Sequence, residues 1–227
     1  MKNVTRSILP AAVLGGLLLT GSAALGTSSA WAGVCLTDTV VNYSASGFSC
    51  NVGPVTFSNI AVSTTASGSG SVTLGNFTPL SFVNGAVTEY GLSLNYASNT
   101  GLTAGSSADV AWTYNVAANP DIIDAYLSFT GTTTGTGTAV ISETLSNGVV
   151  LSLLAPGSTT ATFDPIASLS VIKDQNDFSG TAGSAQSSIL QNAFSTATAV
   201  PEPGSLLLLG TGLIGLSLFG RRRRRIV

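Results

Sequence analysis

The chain of 227 residues carries eight Lys or Arg, ten Asp or Glu and no histidine, for a net charge of -2. That sum hides a segregation: Lys2 and Arg6 lie at the front, five arginines lie at the end, and from Gly33 to Val200 a single base, Lys173, stands against nine acids, a net of about -8. So acidic a body repels a phosphate chain, and without histidine no Ser-His-Asp or Cys-His nucleophile can be assembled, which excludes nucleic-acid binding and triad chemistry.

Residues 1-32 read as a secretory signal peptide, with Lys2 and Arg6 as the positive region, Ile8 to Leu19 as the apolar run, and Ala30-Trp31-Ala32 as a small-x-small cleavage site. Pro10, Gly15 and Gly16 interrupt the run, which is short for a membrane span. The mature chain is expected to begin near Gly33. Cys35 and Cys50 follow at once and are the only cysteines. In an oxidising compartment two cysteines fifteen positions apart are most simply a disulfide.

Residues 33-199 read as one exported domain written for strands. Val110, Trp112, Tyr114 and Val116 alternate with small or polar residues, and similar runs occur at Val55 to Val62, Tyr90 to Tyr96, Ala139 to Leu145, Val149 to Leu153 and Leu169 to Val171. β-branched and aromatic residues at period two fit a half-buried sheet. Asn84-Gly85 and Asn147-Gly148 are two-residue hairpin signals, while Ser67 to Gly70 and Gly131 to Gly137 look like looser connections. About ten short strands predict an all-β fold, an antiparallel β-sandwich of the Greek-key or jelly-roll kind. Ala185 to Phe194 fits either a helix or a final strand, the strand being favoured, and Ser195 to Ala199 reads as a linker. A membrane β-barrel would need longer strands and aromatic girdles.

Chemistry is scarce. The glycines sit in Ser/Thr turns with no following Lys, so no phosphate loop and no nucleotide cofactor is expected. The nine acids are the reactive stock. Asp121 and Asp124 lie beside Pro120, and Glu89 and Glu143 lie on strands whose solvent faces they are expected to occupy. Asp174, Asn176 and Asp177, in the run Lys173-Asp174-Gln175-Asn176-Asp177, are candidate ligands for calcium, a cation that takes hard oxygens; the alternative is an ordinary polar connection. Trp112, Tyr114, Tyr90 and Tyr96 are core or, alternatively, a sugar-stacking platform. No catalytic residue is assigned, and no enzyme is expected.

The chain closes on Val200-Pro201-Glu202-Pro203-Gly204, an uncharged run from Ser205 to Phe219, and Arg221, Arg222, Arg223, Arg224 and Arg225. Gly204 to Gly220 would make a helix of roughly 25 Å, slightly under the hydrocarbon thickness, with the arginines held cytoplasmic. Pro201, Glu202 and Pro203 before a short span and an arginine block resemble the PEP-CTERM sorting signal of Gram-negative bacteria over residues 200-227. The resemblance implies an exosortase as partner, transient anchoring in the inner membrane, and release to the cell surface or extracellular matrix. It implies a structural or interaction role in a biofilm or exopolysaccharide matrix. The alternatives are a carbohydrate-binding module for extracellular polysaccharide and a secreted glycoside hydrolase.

Overall fold

The computed structural model describes residues 32-197. In chain order these form β1 (Gly33–Val34), β2 (Asp38–Thr39), the one-turn helix α1 (Val40–Tyr43), β3 (Ser49–Val52), β4 (Val55–Ser67), β5 (Ser71–Asn84), β6 (Val87–Asn99), β7 (Ser107–Gly135), β8 (Thr138–Leu145), β9 (Val150–Leu153), β10 (Gly157–Phe178) and β11 (Gly183–Phe194).

Alternation places the core. On β7, Ala108, Val110, Trp112, Tyr114 and Val116 are all buried while the residues between them are half-exposed. Each large apolar side chain so buried contributes roughly 1.5 to 3 kcal/mol, and a slip of one residue would turn the whole set to solvent. The pattern therefore fixes register as well as fold.

β7 runs for 29 residues and pairs with β10 along most of its length, but its other neighbour changes. β4 flanks residues 107-118 and β11 flanks residues 126-135. Between them lies Pro120, and in the facing stretch of β10 lies Pro165, where the register shifts between Thr162 and Ser168. Proline has no N–H for a ladder, so both long strands bend together there. The bend divides a single hydrogen-bonded sheet into two halves. One runs β1-β3-β4-β7-β10-β8-β9 and the other β10-β7-β11-β6-β5-β2, every pairing being antiparallel except β1 with β3.

The halves close on a common core. The ring of Phe77 on β5 lies 5.0 Å from that of Trp112 on β7, and Phe194 on β11 lies 6.3 Å from Phe57 on β4 and 6.5 Å from Tyr114. The all-β class expected from the sequence is found, as one curled eleven-stranded sheet. Cys35 and Cys50 are bonded, tying the segment after β1 to β3.

Both Asn-Gly signals mark hairpins, but neither pair forms the two central positions expected. Asn84 is the last residue of β5 and pairs with Val87, leaving Gly85-Ala86 as the loop, and Ser146-Asn147 are central in the second turn. Among the described non-glycine residues only Asn59 has a positive φ. Gly85 and Gly148 have φ of 63° and 89°, and the Gly148 N–H donates to the Leu145 carbonyl at 2.9 Å across the β8–β9 turn. Residues 185-194 form a strand. Two further expectations need correction. Gly131 to Gly135 is strand, because β11 pairs with it throughout. Ser195 to Ala197 is no free linker: the Ser195 carbonyl accepts from Ile123 N–H at 3.1 Å and Ala197 N–H donates to the Asp121 carbonyl at 2.8 Å. Ser71 to Asn84, which contains Gly75 and Pro79, also forms a strand. It lies at the edge of its half, where β2 covers only Asn76 and Phe77, so the proline removes no needed donor.

Candidate functional site

The second half of the sheet is rolled. Five flat strands from β10 to β5 would span about 19 Å at ~4.8 Å per step. Yet Asn84 Nδ2 on β5 lies 3.4 Å from Thr160 Oγ1 on β10, and the rings of Phe82 and Tyr126 meet edge to face at 5.0 Å. Register puts Phe82, Glu89, Tyr126 and Thr160 on the face turned away from the core. That face is thus the inside of a trough, shut at this end.

Beneath the shut end lie Glu89, wholly buried, and Asp124, nearly so. Glu89 Oε1 accepts from Asn84 Nδ2 at 3.1 Å while its Oε2 has no partner, and Asp124 Oδ1 accepts from Ser195 N–H at 2.7 Å. Burial pushes the Glu89 carboxyl up to about 7, the Asn84 donor works against this, and the nearby Asp124 charge adds to it.

Away from that end the trough is lined by hydroxyls and amides. Ser128 Oγ donates to Gln191 Oε1 at 2.9 Å, Asn95 Nδ2 to Thr78 Oγ1 at 3.4 Å, and the hydroxyls of Thr130 and Ser188 meet at 2.9 Å. It opens into a groove of about 410 Å³ lined by Thr130, Gly131, Thr132, Gln186 and Ser188 among others, with no charged side chain.

On the core side of the same strands sits a second polar group. Lys173 on β10 lies opposite Glu143 on β8, with Nζ 2.5 Å from Oε2 and neither side chain exposed. Asn192 on β11 reaches across from the other half: its Nδ2 donates to Glu143 Oε1 at 3.2 Å and to the Tyr126 carbonyl at 2.6 Å. Asn192 Oδ1, Trp112 Nε1 and the Tyr114 hydroxyl have no partner. The Trp112 ring lies 5.4 Å from Nζ. Burial lowers the Lys173 ammonium from its ordinary value, with Glu143 opposing. Burial, and then the Glu143 charge, hold the Tyr114 phenol well above its usual range. Further along, Gln175 Nε2 donates to Asp177 Oδ1 at 2.7 Å and Ser187 Oγ to the same oxygen at 2.7 Å, while Ser98 bonds Asp177 Oδ2.

These positions reorder the expectations. Asp174, Asn176 and Asp177 do not converge: β10 is continuous, so Asp177 points inward with Lys173 and Gln175 while Asp174 and Asn176 point out. Among the described residues no group of three acids, cysteines or histidines could hold a metal. The outer neighbour of Asp174 is Asp109, whose carboxyl burial pushes up to about 6 with Asp174 adding to the rise, and which accepts from Thr65 Oγ1 at 3.3 Å. Glu89 and Glu143, expected on solvent faces, are both fully buried. Trp112, Tyr114 and Tyr96 are core, and Tyr90 faces the core half-buried. The aromatic pair on the outer face is Phe82 with Tyr126, which strand-by-strand reading missed. Asp124, Tyr126, Ser128 and Thr130 alternate on one face and would have pointed to it.

Pro201, Glu202, Pro203, Arg221 to Arg225, the span between them and residues 1-31 lie outside the described residues. Among the described residues no helix is long and apolar enough to cross a membrane.

No curated protein matches the chain. Among solved structures, the enzymatically active domain of bacteriophage CBA120 tailspike protein 4 is 21% identical over 59% of this chain, with a TM-score of 0.25. This chain spans only 19% of that domain's length. A family 11 carbohydrate-binding module from Clostridium thermocellum, in complex with a β-1,3-1,4-mixed-linked tetrasaccharide, is 12% identical over 57% of this chain and 87% of its own, with a TM-score of 0.24. The family 11 module of the cellulosomal cellulase Lic26A-Cel5E of the same organism is 11% identical over 60% and 88%, at 0.23. Likenesses this slight carry no argument about function. The family model is specific: residues 199–225 match the PEP-CTERM protein-sorting motif, and the chain is a bearer of that C-terminal sorting signal.

Proposed function

We propose that the chain is an exported component of the cell surface or extracellular matrix, sorted and cut by an exosortase after transient anchoring in the inner membrane. Its role there is structural or interactive, within a biofilm or exopolysaccharide matrix. The observation that carries the reading is the sorting motif at residues 199–225 behind a disulfide-closed all-β body. Two prolines around Glu202 lack the N–H that a helix or a ladder would use, which suits a sequence that a processing enzyme must read. Mass spectrometry of surface-released protein tests this: the residues after the Pro-Glu-Pro region should be missing. An intact Arg221 to Arg225 on all released protein would leave a plain anchor.

A second reading, binding of an extracellular polysaccharide, is favoured by the trough. Its lining of hydroxyls, amides and one accessible aromatic pair offers the donors, acceptors and flat apolar surface a sugar chain takes. The sole base of the body is buried, so a neutral glycan suits it better than an acidic one. Binding should fall with Tyr126→Ala and not with substitutions at Ile172 on the other half's outer face. We assign no hydrolytic turnover. The closest carboxylates to the trough, Glu89 and Asp124, lie beneath Phe82 and Tyr126 where a glycosidic oxygen has no approach.

A further inference from the structure

A lysine, a carboxylate and a carboxamide that share hydrogen bonds in a dry core form an unusual group for a protein with one base in its body. Lys173 comes from β10, Glu143 from β8 and Asn192 from β11, so the group bridges the two halves of the sheet. Glu143 holds one partner on each oxygen: the Lys173 ammonium on Oε2 at 2.5 Å and the Asn192 amide on Oε1 at 3.2 Å. The orientation of the amide is set by two acceptors, since Asn192 Nδ2 also donates to the Tyr126 carbonyl at 2.6 Å. Asn192 Oδ1 is buried and accepts nothing. Trp112 Nε1 and the Tyr114 hydroxyl beside it are unpartnered too, so hydrogen bonds alone do not complete the group, at a cost that a purely structural network would be expected to avoid.

We infer that the folded chain joins Lys173 to Asn192 by an amide bond, with Glu143 carrying the protons. The sequence of steps balances without any further reactant. Glu143 Oε2 takes a proton from the ammonium, freeing the Nζ lone pair, and Nζ attacks Cγ of Asn192. The carboxyl of Glu143 then hands its proton to Nδ2, which already bonds Oε1; the Cγ–Nδ2 bond breaks and ammonia leaves. Of the two protons left on Nζ, one passes through Glu143 to the departing ammonia and the other stays as the N–H of the new amide. The net change is one ammonium side chain and one carboxamide giving one secondary amide and one ammonium ion, with Glu143 returned to its starting form. No electron is transferred.

The surroundings favour each step. A lysine amine becomes a nucleophile when desolvated, and Lys173 has no exposed surface and lies 5.4 Å from the Trp112 ring centre. The reacting groups sit on paired or packed strands and lose little freedom in meeting, which is the condition under which intramolecular attack is fastest. Water, the competing nucleophile, is excluded. Glu143 is wholly buried, and Trp112 and Tyr114 wall the same space. The second inward cluster, around Asp177, offers no such reaction because it contains no amine.

The test uses the folded full chain with its disulfide formed. Intact mass should fall short of the sequence mass by about 17 Da, one ammonia, beyond the loss for the disulfide. A second readout is built into the sequence: Lys173 is the one trypsin site between Arg6 and Arg221. An acylated lysine is not cut, so denatured, reduced protein should lose only its ends, whereas Glu143→Gln should keep the full mass and split after Lys173. Full mass in folded wild-type protein together with cleavage at Lys173 overturns the inference, whether or not Glu143→Gln folds. A loss of about 18 Da with the link mapped to Glu143 also overturns it, since water would then have left and Asn192 would not be the acceptor.

Discussion

Replacing Glu89 by Gln should remove part of the fall in stability that rising pH causes around neutrality. Glu89 is buried under Phe82 and Tyr126, with Asn84 donating to Oε1, Asp124 near, and no partner on Oε2. Its carboxyl is raised from 4.5 to about 7, chiefly by burial. The folded state therefore holds a proton that the unfolded chain releases near pH 4.5, and stability falls as pH rises from there through about 7. At ~1.4 kcal/mol per unit the loss is roughly 3 kcal/mol at most, and nearer 2 once the surroundings relax about the ionised group. Below pH 4 both states are protonated and Glu89→Gln should differ from wild type only by a fixed offset. At pH 8 the variant should gain about 2 kcal/mol relative to that offset, because a neutral amide fits where a carboxylate does not. Urea melts of both proteins at pH 4 and pH 8, with equal m-values, measure the gain as a double difference. This cancels the contributions of Asp109 and Asp177, which burial also raises. An identical gap between the two proteins at both pH values would refute the assignment of a raised value to Glu89.

Removing the disulfide with Cys35→Ser and Cys50→Ser should cost about 3 kcal/mol by the entropy of a fifteen-residue loop, read as a lower urea midpoint. Tyr126→Ala should weaken binding to a neutral polysaccharide at least tenfold in affinity electrophoresis while leaving the circular dichroism unchanged; an unchanged affinity would move the binding face elsewhere. Trp112→Ala should act differently, costing roughly 3 to 5 kcal/mol of stability, because Trp112 fills the core between Phe77 and Tyr114. Calcium should not shift the melting temperature through Asp174 and Asn176, and a shift abolished by Asp174→Asn would show that these outward residues bind after all.

Much of the fold was legible because period two is written plainly: Val110 to Val116 is a strand with the expected buried face, and both Asn-Gly signals mark hairpins, though each turn is centred one residue away from the pair itself. Residues 71-84 were not, since Gly75 and Pro79 break the pattern in a strand that, for most of its length, has a partner on one side only. The polar interior was hidden for a different reason. Lys173, Gln175 and Asp177 look like a solvated run in sequence, yet alternate inward, and what makes that tolerable is Glu143, Ser98 and Ser187 on other strands. Such partners are 10 to 79 positions away, so no local window contains them. The same holds for the trough, whose existence depends on β5 and β10 meeting across five strands. The sorting tail was readable because its parts are contiguous.

The position of β11 has a mechanical consequence. It is the last strand of the described body, it lies between β7 and β6, and the chain leaves it along Ser195 to Ala197 still bonded to β7. A pull on whatever lies beyond Ala197 acts parallel to that strand. Ladder bonds run perpendicular to the strand, so the load falls on many of them at once in shear, and not on one after another as when an edge strand is peeled away. A body tugged from its C-terminal side by flow, or by a neighbouring cell, would yield late and all together. Had the final strand been at an edge, one ladder in place of two would have carried the same pull.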